Sequence, residues 1–152
     1  VAGYSDTWFN RTWAADAGDV TGDVAGACSG ADTGGISGSL DFDQSGNGDA
    51  LTDGLLLLRY AFGLRGSMLT AGAVSGNSPL SESEVEAAVA TAAGSFADID
   101  GNGRLDALTD GLILLRYLFG LRGMMLTNGA IAGDATRTTP EVIEAYVGSL
   151  LP

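Results

Sequence analysis

The chain has 152 residues, the length of one ordinary domain, which argues against a two-lobed enzyme with a substrate cleft between its lobes. Its 19 acidic and 7 basic side chains give a net charge of -12, which disfavours nucleic acid and anionic membranes as partners and favours cations. The sequence has no histidine and one cysteine, so it offers no histidine base or metal ligand, no intrachain disulfide and no thiolate cluster.

The N-terminal extension, residues 1–38, has no counterpart later in the chain. Residues 1–13 carry Trp8, Trp13 and two further aromatic side chains, and residues 16–38 are rich in Gly, Ala, Asp, Ser and Thr, which predicts irregular chain. The aromatic segment either docks into a neighbouring subunit or covers apolar helices of its own domain. Cys28 lies in a Gly-x-Cys-x-Gly pattern, but without histidine this pattern does not indicate a nucleophile.

An internal duplication organises the rest of the chain, residues 39–152. Residues 41–66 align without a gap with residues 98–123, and 19 of the 26 aligned pairs are identical. Weaker similarity continues to the end of each copy and defines the repeats 39–95 and 96–152. Two copies are too few for a solenoid, so we expect a closed pair related by an approximate two-fold axis.

Each repeat predicts the order loop, helix, linker, helix, which makes the fold mainly α. The first helix is expected over 51–64 and 108–121, where continuous apolar residues end at glycines. These helices are apolar almost all round, so we expect them to be covered either within the pair or by a partner. The second helices are expected to start with capping boxes, at Ser81 and at the Thr-Thr pair before Pro140, which takes a first-turn position.

Four arginines recur at equivalent places in the two repeats, within or just after the first helices. They are Arg59, Arg65, Arg116 and Arg122. An arginine near a helix C-terminus meets the negative end of the helix dipole, so we expect these side chains to contact backbone carbonyls or loop carboxylates rather than a ligand.

Two acidic loops, 41–53 and 98–110, have oxygen-bearing residues at alternate positions. This spacing places successive side chains on one side of a curled loop, and Gly46 and Gly103 predict the left-handed turn that brings later ligands back to a shared ion. The predicted ligands are Asp41, Asp43, Ser45, the Asn47 carbonyl, Asp49 and Asp53, and in the second loop Asp98, Asp100, Asn102, the Arg104 carbonyl, Asp106 and Asp110.

Calcium suits these ligands, because it is a hard cation that takes six to eight oxygens. A simple solvated Asp/Gly turn is the alternative, but four carboxylates per loop would repel one another strongly without a cation. We therefore predict two Ca²⁺ ions and a fold whose stability depends on them.

The two loops, each followed by a helix that reads Asp-Gly-Leu-Leu/Ile-Leu-Leu-Arg-Tyr, resemble the duplicated calcium-binding modules of dockerins over residues 39–152. The resemblance implies two EF-hand-like loop-helix segments, called F-hands, packed with near two-fold symmetry, and a cohesin as the usual partner. The sequence is more similar to dockerin-type repeats of exported bacterial proteins outside cellulosomes, so a cohesin partner does not follow from it.

The loops depart from the dockerin pattern in three respects. Asp53 and Asp110 stand at the thirteenth loop position, one later than the closing acid of the family, which predicts a slightly expanded loop. Ser45 and Gly48 replace an Asn or Asp and an apolar residue, so the first site is expected to bind more weakly than the second. Ala-Leu pairs at 50–51 and 107–108 stand near the place where dockerins often have a Ser/Thr pair that touches cohesin.

The favoured function is a non-enzymatic calcium-binding structural protein that associates with other proteins and self-assembles into a surface layer or filament. The second hypothesis is an adaptor that docks onto a cohesin-like receptor. The third, a small hydrolase using loop carboxylates, is disfavoured because those groups are needed as metal ligands. A start at Val1, many glycines and no lysine suggest a processed chain at the cell surface or outside the cell. No apolar run reaches the roughly 20 residues needed for membrane insertion.

Overall fold

A computed structural model describes residues 39–152, and the aromatic segment 1–13 and Cys28 lie outside the described residues. This part of the chain is mainly helical and contains no strand, which confirms the predicted class. In chain order it comprises a first π-helical turn (Ala50–Gly54), α1 (Leu55–Ala61), α2 (Ser67–Thr70), α3 (Glu82–Ala93), a second π-helical turn (Ala107–Gly111), α4 (Leu112–Leu118), α5 (Met124–Thr127) and α6 (Pro140–Ser149). Within residues 39–152, no helix has the length and apolarity required to cross a membrane.

The first helix of each repeat ends earlier than the sequence predicts. Gly63 follows α1 in the left-handed conformation, with a φ of 89°, which glycine adopts without steric cost. Its N–H donates to the Tyr60 carbonyl at 2.9 Å, and the Leu64 N–H donates to the Arg59 carbonyl at 3.0 Å. This pattern is a Schellman motif, and the equivalent bonds end α4.

The second helices start in two different ways. At α3 the capping box is confirmed: the Ser81 hydroxyl accepts from the Glu84 N–H, and the Ser81 N–H donates to the Glu84 carboxylate at 2.8 Å. At α6 the predicted capping box is wrong, because Thr139 is the N-cap and makes no side-chain cap bond. Pro140 occupies the first helical position, which leaves Glu141 one position short of the place from which it could reach back.

The linkers contain the short helices α2 and α5, which the sequence does not predict. Arg59 donates to the carbonyls of Leu69 and Ala71 at the end of α2, both at 2.9 Å. Arg116 makes the equivalent bonds at the end of α5, both at 3.0 Å. The prediction that these arginines contact carbonyls is confirmed, and the carbonyls belong to the neighbouring short helix.

Arg65 and Arg122 lie beside the ends of their own helices. Arg65 donates to the Tyr60 carbonyl at 2.9 Å, and its guanidinium lies 3.5 Å from the centre of the Tyr60 ring. Arg122 contacts Tyr117 in the same way, at 2.7 Å and 3.6 Å. Both arginines therefore stabilise a helix C-terminus and also make a cation–π contact.

One hydrophobic core is shared by the two repeats and includes fully buried leucine and isoleucine side chains of α1 and α4. The π-helical turn of each repeat packs on the first helix of the other repeat. A Cβ at Gly54 would lie 3.3 Å from the Leu115 Cα, and a Cβ at Gly111 would lie 3.1 Å from the Leu58 Cα. Glycine at these two equivalent positions therefore lets the two backbones approach closely.

Candidate metal centres

Two triads of aspartates lie at the starts of the two repeats. They are Asp41, Asp43 and Asp53 in the first repeat and Asp98, Asp100 and Asp110 in the second. In each triad, one carboxylate oxygen from each residue lies within 4.8 Å of the other two. The structure thus brings together six of the twelve predicted ligand residues, in two groups that could each hold a metal ion.

Each triad joins the start of the loop to the π-helical turn that follows it. The Gly54 N–H donates to the Asp49 carbonyl five residues earlier, at 3.1 Å, and the Gly111 N–H donates to the Asp106 carbonyl at the same distance. A π-helical turn is closed by a hydrogen bond between residues i and i+5, whereas an α-helical turn is closed between residues i and i+4. The π-helical turn therefore holds one more residue. This wider turn accommodates the extra residue that the sequence predicts and returns Asp53 to the loop.

The closing aspartate of each loop is held by bonds on both carboxylate oxygens. Asp53 Oδ1 accepts from the Phe42 N–H at 2.7 Å, and Oδ2 accepts from the Asp49 N–H at 2.9 Å and from the Thr52 hydroxyl at 3.0 Å. Asp110 accepts equivalent bonds from Ile99 at 2.6 Å and from Asp106 at 2.8 Å. These bonds fix both carboxylates in one orientation before any ion binds.

The central aspartate of each loop connects the loop to the linker of the same repeat. Asp43 Oδ2 accepts from the Ser75 N–H at 2.7 Å, and Asp100 Oδ2 accepts from the Ala132 N–H at 2.9 Å. The first aspartates cap the tight turn instead: Asp41 accepts from Gly46, and Asp98 accepts from Gly103. Both glycines have positive φ, 93° and 86°, which confirms the predicted left-handed turn.

Burial raises the free energy of the charged triads. Asp43, Asp53, Asp100 and Asp110 are fully buried. Desolvation raises the pKa of Asp53 from its ordinary 3.8 to about 6, although hydrogen bonds from Asp49 and Phe42 oppose the shift. Desolvation also raises the pKa values of Asp110 and Asp41.

No basic side chain forms an ion pair with a triad carboxylate within residues 39–152. The ion pairs there both involve Arg104, which lies 3.4 Å from Asp106 and 3.4 Å from Asp134. Neither partner belongs to a triad. A binding site for a hard cation such as Ca²⁺ or Mg²⁺ provides buried carboxylates that have no other cationic partner. The triad oxygens therefore fit such an ion.

The remaining predicted ligands lie along the loops outside the triads. The backbone N–H groups of Ser45 and Asn102 donate to triad carboxylates, and the Asn47 carbonyl accepts from the Ser45 hydroxyl at 3.3 Å. The Asp106 carboxylate pairs with Arg104, and Asp49 is exposed. Metal coordination by these residues stays a prediction.

The amide of Asn102 has one polar atom without a partner. Its Nδ2 is buried and makes no hydrogen bond, while Oδ1 accepts from the Arg104 N–H at 2.9 Å. Rotation of the amide by half a turn would place its oxygen at the unsatisfied position, but it would also set the amide NH2 against the Arg104 N–H, which is a second donor. The predicted role of Asn102 as a ligand therefore stays a prediction.

The two loops differ in how well their backbones are supported. Gln44 has a φ of 52°, a left-handed conformation that is unfavourable for a residue with a Cβ, whereas Gly101 takes the equivalent position in the second loop. At the eighth position, a Cβ on Gly48 would collide with the side chain of Leu151, which fills the space beside the first loop. A side chain at this position would therefore require the Leu151 side chain, which already packs there, to move.

Arg137 supports the second loop and was not singled out by the sequence. Its guanidinium donates to the Ile99 carbonyl at 2.6 Å and to the Asp98 carbonyl, and it lies 3.9 Å from the centre of the Tyr146 ring. In the first repeat, Ser78 donates to the Asp43 carbonyl at 2.6 Å instead. The only sequence signal is that Arg137 aligns with Leu80, so this arginine has no counterpart in the first repeat.

Comparison with protein-family models, with curated proteins and with solved structures finds no match to this chain.

Proposed function

We propose that residues 39–152 form a dockerin-like pair of calcium-binding repeats, and that the protein is a non-enzymatic structural protein outside the cell that associates with copies of itself. The observation that carries the proposal is the pair of aspartate triads, in each of which two side chains are fully buried. Each holds three carboxylates within 4.8 Å, and none of the six carboxylates makes an ion pair within residues 39–152.

Calcium is favoured over magnesium by the kind of ligand available. Mg²⁺ usually keeps several waters and takes one or two carboxylates, whereas Ca²⁺ accepts six to eight oxygens in a flexible geometry. Three carboxylates, with backbone carbonyls and side-chain oxygens of the same loop nearby, match the second description. Asp53 and Asp110 would close their sites from the π-helical turns, and Asp43 and Asp100 would transmit binding to the linkers.

The approximate two-fold relation between the repeats is supported by reciprocal contacts. Gly54 faces Leu115 and Gly111 faces Leu58, and each contact is the other shifted by one repeat. The two repeats share one hydrophobic core, which would hold their outer surfaces in a fixed relation and suits a structural role. In this proposal the triad carboxylates serve as cation ligands, which leaves them unavailable as catalytic acids or bases.

A calcium titration with two aspartate variants tests the metal proposal. We expect Ca²⁺ to raise the melting temperature of the wild-type chain relative to chelator, because the ion binds the folded loops; ion at about 1,000 times its Kd stabilises by about 4 kcal/mol per site. Asp110→Asn should remove much of this gain. Asp134→Asn, which removes one exposed charge outside the triads, should keep it. A melting temperature indifferent to Ca²⁺ in all three proteins would refute the proposal.

Sedimentation of the purified chain with Ca²⁺ and with chelator tests the association. Large ordered polymers in calcium support a self-assembling structural protein. A chain that remains monomeric at all concentrations contradicts self-assembly and favours the adaptor hypothesis, in which one receptor binds one module.

A further inference from the structure

Three exposed apolar side chains of the first repeat recur in the second. Leu51 and Leu108 are each 67% exposed, and the pairs Phe62 with Phe119 and Met68 with Met125 are exposed to a similar degree. Large apolar side chains that are exposed in both repeats contact water unless a partner covers them. Where such side chains cluster, they indicate a contact surface.

Two of these exposed residues, Leu51 of the first repeat and Phe119 of the second, line a groove between the repeats. The groove has a volume of about 440 Å³ and is formed by the first π-helical turn and the end of α4: Asp49, Ala50, Leu51, Thr52, Leu118 and Phe119. We call these six residues the 49/119 groove. Its walls are apolar except for Thr52 and Asp49. The exposed Asp49 carboxylate makes no hydrogen bond or ion pair within residues 39–152.

The equivalent positions of the other repeat offer a poorer site. There the acid is Asp106, whose carboxylate is already paired with Arg104 at 3.4 Å. The position of Leu118 is taken by the smaller Ala61, which removes part of the apolar wall. The two-fold relation is therefore broken at this surface, and the 49/119 groove combines the larger apolar lining with an acid that makes no ion pair within residues 39–152. Asp49 is also a predicted calcium ligand, but a carboxylate has two oxygens, so contact with the ion leaves an acceptor for a basic group.

We propose that the 49/119 groove binds the aromatic segment of a second copy of the chain, through residues 8–13. This inference rests on the proposed function, since it names the contact by which copies associate. The segment reads Trp-Phe-Asn-Arg-Thr-Trp and places Arg11 between large aromatic side chains, which complements an apolar groove with one acid.

Charge supports this occupant over any other part of the chain. Arg11 is the one basic residue outside residues 39–152, and the six arginines inside that range all bond to groups of their own domain. Each chain supplies one aromatic segment and one 49/119 groove. A contact between two different surfaces of identical chains is heterologous, so it generates open polymers or closed rings rather than isolated dimers.

Matched phenylalanine variants test the groove in the full-length chain. Phe119 and Phe62 are equivalent and equally exposed, at 57% and 59%. In sedimentation with Ca²⁺, we expect Phe119→Ser and Arg11→Glu to weaken association at least about tenfold, as for a central interface residue, and Phe62→Ser to leave it unchanged. If wild type associates and Phe119→Ser associates equally well, the groove is wrong while the proposed function stands. If wild type never associates, both fail.

Cysteine cross-linking then identifies the occupant. In a Cys28→Ser background, chains carrying Asn10→Cys are mixed with chains carrying Leu51→Cys, or with Leu108→Cys as the matched control at the same exposure. We expect an interchain disulfide with Leu51→Cys and little with Leu108→Cys. Equal cross-linking of both would overturn the proposal. So would a disulfide that forms only within one chain carrying both Asn10→Cys and Leu51→Cys, because the segment would then occupy its own groove.

Discussion

Mild acid should stabilise the calcium-free protein, whereas it should destabilise the calcium-bound protein. The pKa of Asp53 rises from 3.8 to about 6 on folding, so between these values the folded state binds more protons than the unfolded state. The free energy of unfolding therefore falls as the pH rises through this window. The whole shift corresponds to about 3 kcal/mol, and about 1.3 kcal/mol of it is lost between pH 5 and pH 7.

The other shifted groups do not reverse this sign. The pKa values of Asp41 and Asp110 are also raised by burial, so these residues add to the trend. Hydrogen bonds from Ser81 lower the pKa of Glu84, and its contribution is lost only as the pH falls below its ordinary 4.5. Among residues 39–152, a comparison at pH 5 and pH 7 therefore reports mainly on the triads.

Urea unfolding in calcium-free buffer at pH 5 and pH 7 measures this difference. We expect the calcium-free chain to be more stable at pH 5 by at least about 1 kcal/mol. With saturating Ca²⁺ the order should reverse, because the ion requires ionised carboxylates. Asp53→Asn should reduce the pH dependence of the calcium-free chain, and Asp134→Asn should not. Equal stability at the two pH values, or greater stability at pH 7 without calcium, would refute the reasoning from buried uncompensated carboxylates.

Three further predictions concern the backbone around the triads, each measured by urea unfolding and calcium titration. Gly54→Ala and Gly111→Ala should each cost about 1–3 kcal/mol, because the new Cβ would press on the opposing helix, whereas Gly133→Ala, with no atom within 4 Å of its Cβ, should be nearly neutral; equal effects would contradict the close packing. Gln44→Gly should raise stability by about 0.5–1 kcal/mol and strengthen the first site by relieving a positive φ, and a loss of stability would contradict this. Arg137→Leu should cost about 1–3 kcal/mol and weaken calcium binding at the second site, because two loop carbonyls lose their donor. Unchanged calcium binding at the second site would show that Arg137 is dispensable there.

The sequence predicts the helical class, and its twelve predicted ligands include the six triad aspartates, because both depend on local spacing. Alternate aspartates followed by glycine define the loop, and continuous apolar residues define α1 and α4. It does not predict that Asp53 reaches the loop through a π-helical turn. Whether a backbone hydrogen bond spans four or five residues at this point depends on packing. Gly54 must pack against Leu115 of the other repeat, and that contact is not visible in either repeat alone.

Long-range contacts account for the other differences. The short helices α2 and α5 depend on Arg59 and Arg116, which bind their terminal carbonyls from ten or more residues away. Arg137 reaches a loop 38 residues earlier in the chain. The capping box at Thr139 fails for a local reason, because Pro140 fixes the first helical position and thereby displaces Glu141. The contacts of Arg59, Arg116 and Arg137, in contrast, join segments whose relative position is set only by the assembled fold.

An anomalous difference map from crystals grown in Ca²⁺ would show whether each aspartate triad holds a calcium ion. We expect two peaks per chain, one among Asp41, Asp43 and Asp53 and one in the equivalent triad, each about 2.3–2.6 Å from the carboxylate oxygens. A map with no peak in the triads, including one in which calcium peaks occur only elsewhere on the protein, would contradict this prediction.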